Sequence, residues 1–370
     1  MTSTTRAESS SREGSGRSRT SGRTSKSESS PEPTTIKRRA RRVLITGGAG
    51  FLGVNAADHM IAAGWHVTVL DNLSRDGTER NLKWLMSRHA QAARFVKADV
   101  RNAAALASQV KNQDAILHLA GQVAVTTSLV DPVTDFDVNA GGTVNMLEAA
   151  RKHNPEAPFV FASTNKVYGK LEKNNRACKE TQAIDFHSPY GCSKGAADQY
   201  VRDYARCFHM NTVVLRQSCI YGAHQYGTED QGWVAHFVHS ILNDRPLTIY
   251  GDGTQVRDLL DARDLSRLYA QVIDEIDKTR GQIYNVGGGP DNQRNLLEVI
   301  ARIGELTDRR PQYSFADWRE GDQEYYVSDI SKAKEQLGWE PEIPFDRGLE
   351  DLVAWAGYVT PASSGTSPRG

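Results

Sequence analysis

Cysteine is scarce in this chain: four residues in 370, Cys178, Cys192, Cys207 and Cys219, with no C-x-x-C spacing. That pattern excludes a disulfide-stapled secreted scaffold and fits reduced thiols in a cytoplasmic protein. No metal-ligand spacing is present either, so no metal is expected. Long apolar runs are missing too, with neither a signal-peptide core nor a membrane-length segment, so a membrane role is not expected. Net charge is absent overall, at 45 Lys+Arg against 45 Asp+Glu. The balance is uneven, because residues 1–42 carry 11 basic and 4 acidic residues and leave 34 and 41 for the rest. An acidic body has no general attraction for nucleic acid, which excludes that partner for the globular part. The first forty residues also lack apolar side chains and cannot offset the entropy of ordering, so residues 1–41 are expected to be a disordered tail. The basic run Lys37-Arg38-Arg39-Ala40-Arg41-Arg42 reads as a solvated charge cluster. Residues 357–370 read as a loose end.

What is present begins with Arg42-Val43-Leu44-Ile45-Thr46, a short apolar β-rich run leading into Gly47-Gly48-Ala49-Gly50-Phe51-Leu52-Gly53 and a helical pattern from Val54 to Ala63. Strand, glycine turn and helix in that order form the first βα unit of a dinucleotide-binding fold. Gly47 permits the tight turn, Gly50 lets backbone approach a pyrophosphate, and Gly53 allows close packing of helix on strand. The helix start supplies the anion site. A second run, His66-Val67-Thr68-Val69-Leu70, ends in Asp71, whose carboxylate suits the two ribose hydroxyls and favours NAD over NADP. Arg75 lies close enough to accommodate a 2′-phosphate, but Asp71 would repel it.

Further strands are expected at Arg94–Lys97, Ala115–Leu119, Phe159–Ser163 and Thr212–Arg216, alternating with helices at Val138–His153 and Tyr190–Phe208. This rhythm predicts an α/β, doubly wound parallel Rossmann sheet over residues 42–216. Beyond Gln217 the pattern breaks into shorter pieces, which predicts a smaller C-terminal α/β substrate lobe over 217–356 that shares strands with the sheet. Within the second helix, Tyr190 precedes Lys194 by four residues, so both side chains lie on one face. A lysine cation beside a phenol favours the phenolate, which makes the pair an acid/base device for a sugar hydroxyl.

Taken together, the glycine turn, Asp71, Asp99-Val100, Leu119-Ala120-Gly121-Gln122, Asn139, Thr164 and the Tyr190/Lys194 pair resemble the extended short-chain dehydrogenase/reductases that act on nucleotide sugars. Within them, three strings resemble the CDP-paratose (CDP-tyvelose) 2-epimerase family. They are Ser163-Thr164-Asn165-Lys166-Val167-Tyr168-Gly169, the segment from Asp185 to Tyr200, and Asp230-Gln231-Gly232-Trp233-Val234. The resemblance implies bound NAD held by Gly47, Gly50, Phe51, Leu52, Gly53, Asp71, Asn72, Asp99, Val100, Leu119, Ala120, Gln122, Asn139, Tyr190 and Lys194. It implies catalysis by Tyr190 as base, Lys194 holding the nicotinamide ribose and keeping the phenol ionised, and Thr164 bonding the reacting oxygen. It places substrate at Thr126, Asn165, His187, Arg257 and Arg319, the two arginines on the diphosphate or nucleoside.

The reaction so implied is inversion at C2 of a CDP-linked (3,6-dideoxy)hexose, through a 2-keto sugar and hydride return, by a cytoplasmic homodimer or homotetramer. Dehydratases of the family carry an Asp-Glu pair just after the threonine. Here Asn165 and Lys166 hold those places, which argues against dehydration. The loop 170–184 is shorter than in tyvelose-type relatives, and Gln217 replaces an expected histidine; both are expected near the sugar or base. A UDP-hexose 4-epimerase and a non-catalytic NAD-binding scaffold are the other readings carried forward.

Overall fold

The computed structural model describes residue 14, residues 39–171 and residues 177–359. The expected tail over 1–41 therefore lies almost wholly outside the described residues, as do residues 360–370. From Ala40 onward the chain forms one compact unit. Its strands run, in chain order, β1 (Arg42–Thr46), β2 (His66–Asp71), β3 (Ala93–Lys97), β4 (Ala115–His118), β5 (Phe159–Thr164), β6 (Thr212–Gln217), β7 (Cys219–Tyr221), β8 (Leu247–Tyr250), β9 (Val256–Asp261), β10 (Ile283–Val286), β11 (Gln293–Asn295), β12 (Tyr313–Ala316) and β13 (Tyr325–Tyr326).

Seven of these make a single parallel sheet in the order β10-β6-β5-β4-β1-β2-β3. The order reverses between β1 and β4, and in open α/β sheets the crevice at such a switch point is where ligands bind. Both faces are covered, which is why β1 reads as an unbroken apolar run rather than an alternating one. Val43 and Ile45 face a core shared with Val54, Ala57 and Met60 of the Phe51–Ala62 helix and Leu265, Leu268 and Val272 of the Ala262–Asp274 helix. Leu44 faces the opposite core, with Leu106 and Val110, Met146 and Leu147, and Ala197 and Val201, from three further helices.

The doubly wound expectation is met. The seventh strand, β10, returns to the main sheet from within residues 217–356, so the later chain contributes to both layers. The rest of that stretch pairs as β7, β9, β11 and β13, with β8 against β12, over a third apolar core. The Phe345–Val359 helix also runs three residues past the expected end of the globular part.

One buried ion pair fixes the long Ser188–Cys207 helix to the sheet. Asp198 accepts two hydrogen bonds from Arg216 of β6, each 2.9 Å, and one of 2.7 Å from Ser163 of β5. The two charged side chains are 0% and 3% exposed. Arg216 also donates to the Tyr168 hydroxyl at 3.0 Å, and that hydroxyl donates to Asn285 of β10 at 2.7 Å. Three strands and the helix are thereby tied by one fully paired network. Removing one partner strands a guanidinium in low dielectric, whereas removing both does not. Asp198→Ala is expected to lower stability by about 3–5 kcal/mol in urea unfolding, and Asp198→Leu combined with Arg216→Met by clearly less; equal losses would contradict the account.

Candidate active site

The glycine turn after β1 is closed against its neighbours. Gly47 has φ +66°, and a Cβ there would lie 2.7 Å from the Ala120 nitrogen. A Cβ at Gly53 would lie 2.3 Å from the Gly47 carbonyl oxygen, so only glycine lets helix and turn approach this closely. Gly50 caps the Phe51–Ala62 helix with extended backbone and without a side-chain hydrogen bond, which leaves first-turn N–H groups for an anion. Asp71, at the end of β2, accepts from Ala49 N at 3.1 Å and Leu73 N at 2.8 Å. Burial raises its pKa against those bonds. Each oxygen keeps a lone pair for a ribose hydroxyl. A cradle that a Cβ would fill, beside an acceptor-only carboxylate, fits a dinucleotide.

The remaining expected cofactor residues divide. Asn72 donates to Asp99 at 2.9 Å, and Asp99 also takes Arg101, which holds its carboxyl well below the usual range. Val100 is buried where Gly142 passes over it. Ala120 N donates to Thr46 Oγ1 at 3.3 Å. Phe51, Leu52 and Leu119 are partly buried around the turn. The Gln122 side chain folds back onto Ala124, donating to its carbonyl at 2.8 Å.

Asn139 differs most from expectation. It sits in a π-helical turn, Asp137–Gly141, that precedes the Gly142–His153 helix, and it is 1% exposed. Its Oδ1 accepts from Gln122 N at 3.0 Å, and its Nδ2 lies 3.0–3.1 Å from Gln122 O, Asp135 Oδ1 and Ser193 Oγ. Both ends of this amide are spent within the protein. Ser193 in turn donates to Asp135 at 2.5 Å, and Ser128 accepts from Tyr190 N at 3.1 Å. Sequence reasoning missed Asp135, Ser193, Ser128 and Asp198. Adjacency to Tyr190 and Lys194 flags Ser193, and the i+4 step from Lys194 flags Asp198. Asp135 and Ser128 carry no local signal.

The three expected catalytic residues converge on the switch-point crevice. Thr164 ends β5, and its Oγ1 accepts from Lys166 N at 3.2 Å, capping the Asn165–Tyr168 3₁₀ turn. Tyr190 lies in the first turn of the Ser188–Cys207 helix, 8% exposed, and Lys194 one turn on, 5% exposed. Burial pushes the Tyr190 phenol up to about 12; a hydrogen bond from Thr164 opposes this, Asp135 reinforces it, and Arg75 opposes it. Burial pushes the Lys194 amine down to about 7, against Asp198 and Asp135. Its Nζ donates to Ala162 O at 2.5 Å and lies 4.2 Å over the Phe161 ring.

Arg75 adds positive charge that lowers the Tyr190 pKa, and it donates to Gln231 at 3.4 Å, while the Lys194 ammonium is bonded to the backbone of β5.

On the substrate side, a cavity of about 380 Å³ brings His187 and Arg319 together with Lys166, Glu320, Asp322 and Gln323. His187 Nε2 meets Glu320 at 2.9 Å. Arg319 stacks 3.7 Å over the Tyr250 ring and pairs with Glu229 at 3.1 Å and Asp230 at 3.7 Å. Arg257, 7% exposed, stands behind the cavity and donates to Asp322 at 2.9 Å and Gln323 O at 2.5 Å. Asn165 donates to Gln323 at 3.1 Å. The Thr126 hydroxyl is buried with no hydrogen-bond partner among the described residues and does not line this cavity. Gln217 does not line this cavity: it is buried at the end of β6, in register beside Thr164, and donates to Tyr269 at 2.7 Å. Of the shortened loop, residues 172–176 lie outside the described residues.

Comparison with known proteins agrees with this fold. The family model described as GDP-mannose 4,6 dehydratase matches residues 44–352. The chain is 41% identical over 340 residues to CDP-paratose 2-epimerase of Salmonella typhi, covering 86% of this chain and 100% of that protein. It is 32% identical over 320 residues to a putative UDP-glucose 4-epimerase of Methanocaldococcus jannaschii, covering 85% and 97%. Among solved structures, a UDP-glucose 4-epimerase of Thermus thermophilus complexed with NAD matches with a TM-score of 0.78 and 31% identity, over 86% of this chain and 100% of that one.

A stability test follows from the buried amine. An unfolded lysine holds its proton to about pH 10.4, while Lys194 releases its own near 7. Between those values the unfolded chain binds more protons, so the Lys194 contribution makes unliganded stability rise with pH. Urea unfolding from about pH 6.5 to 9.5 is expected to show a rise that is shallower in Lys194→Met; identical slopes would show that the amine is not neutralised on folding.

Proposed function

The chain belongs to the GDP-mannose 4,6-dehydratase family, within the extended short-chain dehydrogenase/reductases, and on that premise we propose that it is an NAD-dependent epimerase inverting C2 of a CDP-linked hexose. The carrying observation is the pair that follows Thr164. Dehydration needs an acid and a base at the sugar's far end, and Asn165 and Lys166 supply an amide and a cation, the first joined to Gln323 and the second to Gly321 O. Oxidation followed by re-reduction needs neither carboxylate. The 41% identity to CDP-paratose 2-epimerase supports the choice of C2 and of cytidine. Structural likeness to UDP-glucose 4-epimerases keeps a UDP-hexose 4-epimerase as the second reading.

In this mechanism Gly47, Gly50, Gly53 and Asp71 would hold NAD, whose chemistry when bound would be to accept a hydride and give it back. Tyr190 takes the proton from the sugar hydroxyl and returns it after the ketone turns over. Thr164 donates its single hydroxyl proton to the reacting oxygen and steadies its changing charge. Lys194 carries the positive charge that its buried site resists until a ligand's oxygen atoms meet it. Such acid/base help is worth roughly 10²–10⁴ in rate. Arg257 and Arg319 supply planar guanidinium forks for the diphosphate.

A homodimer is proposed from exposed Val130, Val133, Phe136 and Tyr200 on three mutually packed helices. Cytoplasmic residence is proposed with it; no described helix is long and apolar enough to cross a membrane.

The test uses CDP-hexose deuterated at C2, and its UDP counterpart, with product NMR. Inversion at C2 with the label retained is expected for the CDP-sugar. Washout into solvent would mean proton abstraction, and inversion at C4 of the UDP-sugar would replace the leading reading by the second. Tyr190→Phe is expected to lower kcat by about 10²–10⁴; a variant as fast as the parent would remove Tyr190 from the mechanism.

A further inference from the structure

Lys166 has no role in the catalytic scheme, yet it is placed as few surface lysines are. It follows Thr164 by two residues, in the 3₁₀ turn that Thr164 caps, and its side chain is 18% exposed. Its Nζ donates to Gly321 O at 3.0 Å and lies 3.8 Å from Asp322. Asp322 is already engaged at 2.9 Å by Arg257, so two cations share one carboxylate at this end of the cavity. An ammonium has three donors, and only one close hydrogen bond is made here. Two donors of the ammonium remain for a ligand's oxygen atoms.

The location of a ligand's anionic group relative to the chemistry discriminates between carbons. In a nucleoside-diphosphate sugar, C2 is bonded to the anomeric carbon that carries the diphosphate, whereas C4 lies across the ring. A cation one turn from the Thr164–Tyr190 pair therefore meets a phosphate when C2 is the reacting carbon. With C4 in that position the diphosphate lies further off.

We propose that Lys166 is a specificity-determining residue. Its ammonium, with the Arg257 guanidinium, takes phosphate oxygens of the nucleoside-diphosphate sugar and holds the sugar with C2 at the Thr164–Tyr190 pair. This rests on the nucleotide-sugar epimerase reading and goes beyond it by assigning the register.

The group is also tuned for the task. Burial, then Arg257, pulls the amine down to about 8, while Asp322 and Cys219 act the other way. Besides Asp322, the ionisable groups of the same cavity are Lys170, His187, Arg319, Glu320 and Glu324, with Lys170 paired to Glu324 at 3.5 Å. A bound phosphate raises the pKa of an adjacent amine, so binding near pH 8 draws in a proton.

The experiment is calorimetry of CDP and UDP, with CMP and UMP as single-phosphate controls, on the full NAD-loaded chain at pH 8 in buffers of different ionisation enthalpy. Proton uptake with the diphosphates is expected in the parent and absent in Lys166→Met, which also loses about tenfold or more of its diphosphate affinity and less for the monophosphates. Lys166→Arg is expected to keep affinity without the proton uptake. No uptake in the parent overturns the proposal, whether or not the Met variant folds. Unchanged diphosphate affinity in a folded Lys166→Met that still inverts C2 overturns it while leaving the epimerase reading intact. Proton uptake and Lys166-dependent affinity in a parent that inverts no C2 centre support the phosphate contact and overturn the epimerase reading and the register instead.

Discussion

An amine and a phenol buried one helical turn apart are the constraint around which this molecule is arranged. Low dielectric penalises the charged form of each, so Tyr190 is pushed up to about 12 and Lys194 down to about 7. The protein keeps them in place with groups that are themselves fully paired. Asp198 is held by Arg216 and Ser163; Asp135 is held by Ser193 and Asn139. The π-helical turn at Asp137–Gly141 brings Asn139 between the end of β4 and the catalytic helix, so one amide carries the spacing between cofactor crevice and acid/base pair. A resting site with both groups near neutral is the physical consequence. Charge then enters with the ligands, and binding becomes coupled to ionisation.

Which parts of this were legible in sequence follows from the range of the forces involved. The β1–turn–helix unit is local: Gly47, Gly50 and Gly53 answer to backbone geometry within a few residues, and Asp71 ends the next strand, so a pattern of residue types suffices. Tyr190 and Lys194 are likewise fixed by helical spacing. The Asp135–Ser193 bond spans 58 residues and the Asp198–Arg216 pair crosses from helix to sheet, so local spacing flags Ser193 and Asp198 but not their partners. Which strand of the later chain rejoins the main sheet is hidden for the same reason, because four residues of buried strand look alike in any sheet. The direction taken by Lys194, toward Ala162 O, depends on which acceptor lies nearer in three dimensions. Gln217, beside Thr164 in register, is bonded to Tyr269, a partner 52 residues away that its residue type does not announce.

On the substrate side the same principle operates with opposite sign. Every cation expected to meet an anionic substrate is held by a carboxylate of the chain: Arg257 and Lys166 by Asp322, Arg319 by Glu229 and Asp230, His187 by Glu320. Unpaired, a guanidinium as buried as Arg257 would be costly; paired, it keeps its orientation. A ligand entering here exchanges partners rather than finding bare charges, so the net gain is smaller than the contacts alone suggest. That exchange favours ligands with enough negative charge to displace several carboxylates at once. A diphosphate does this where a monophosphate falls short. In the proposed function, selectivity for a diphosphate linkage would arise from the carboxylates that must be displaced as much as from the cations that receive it.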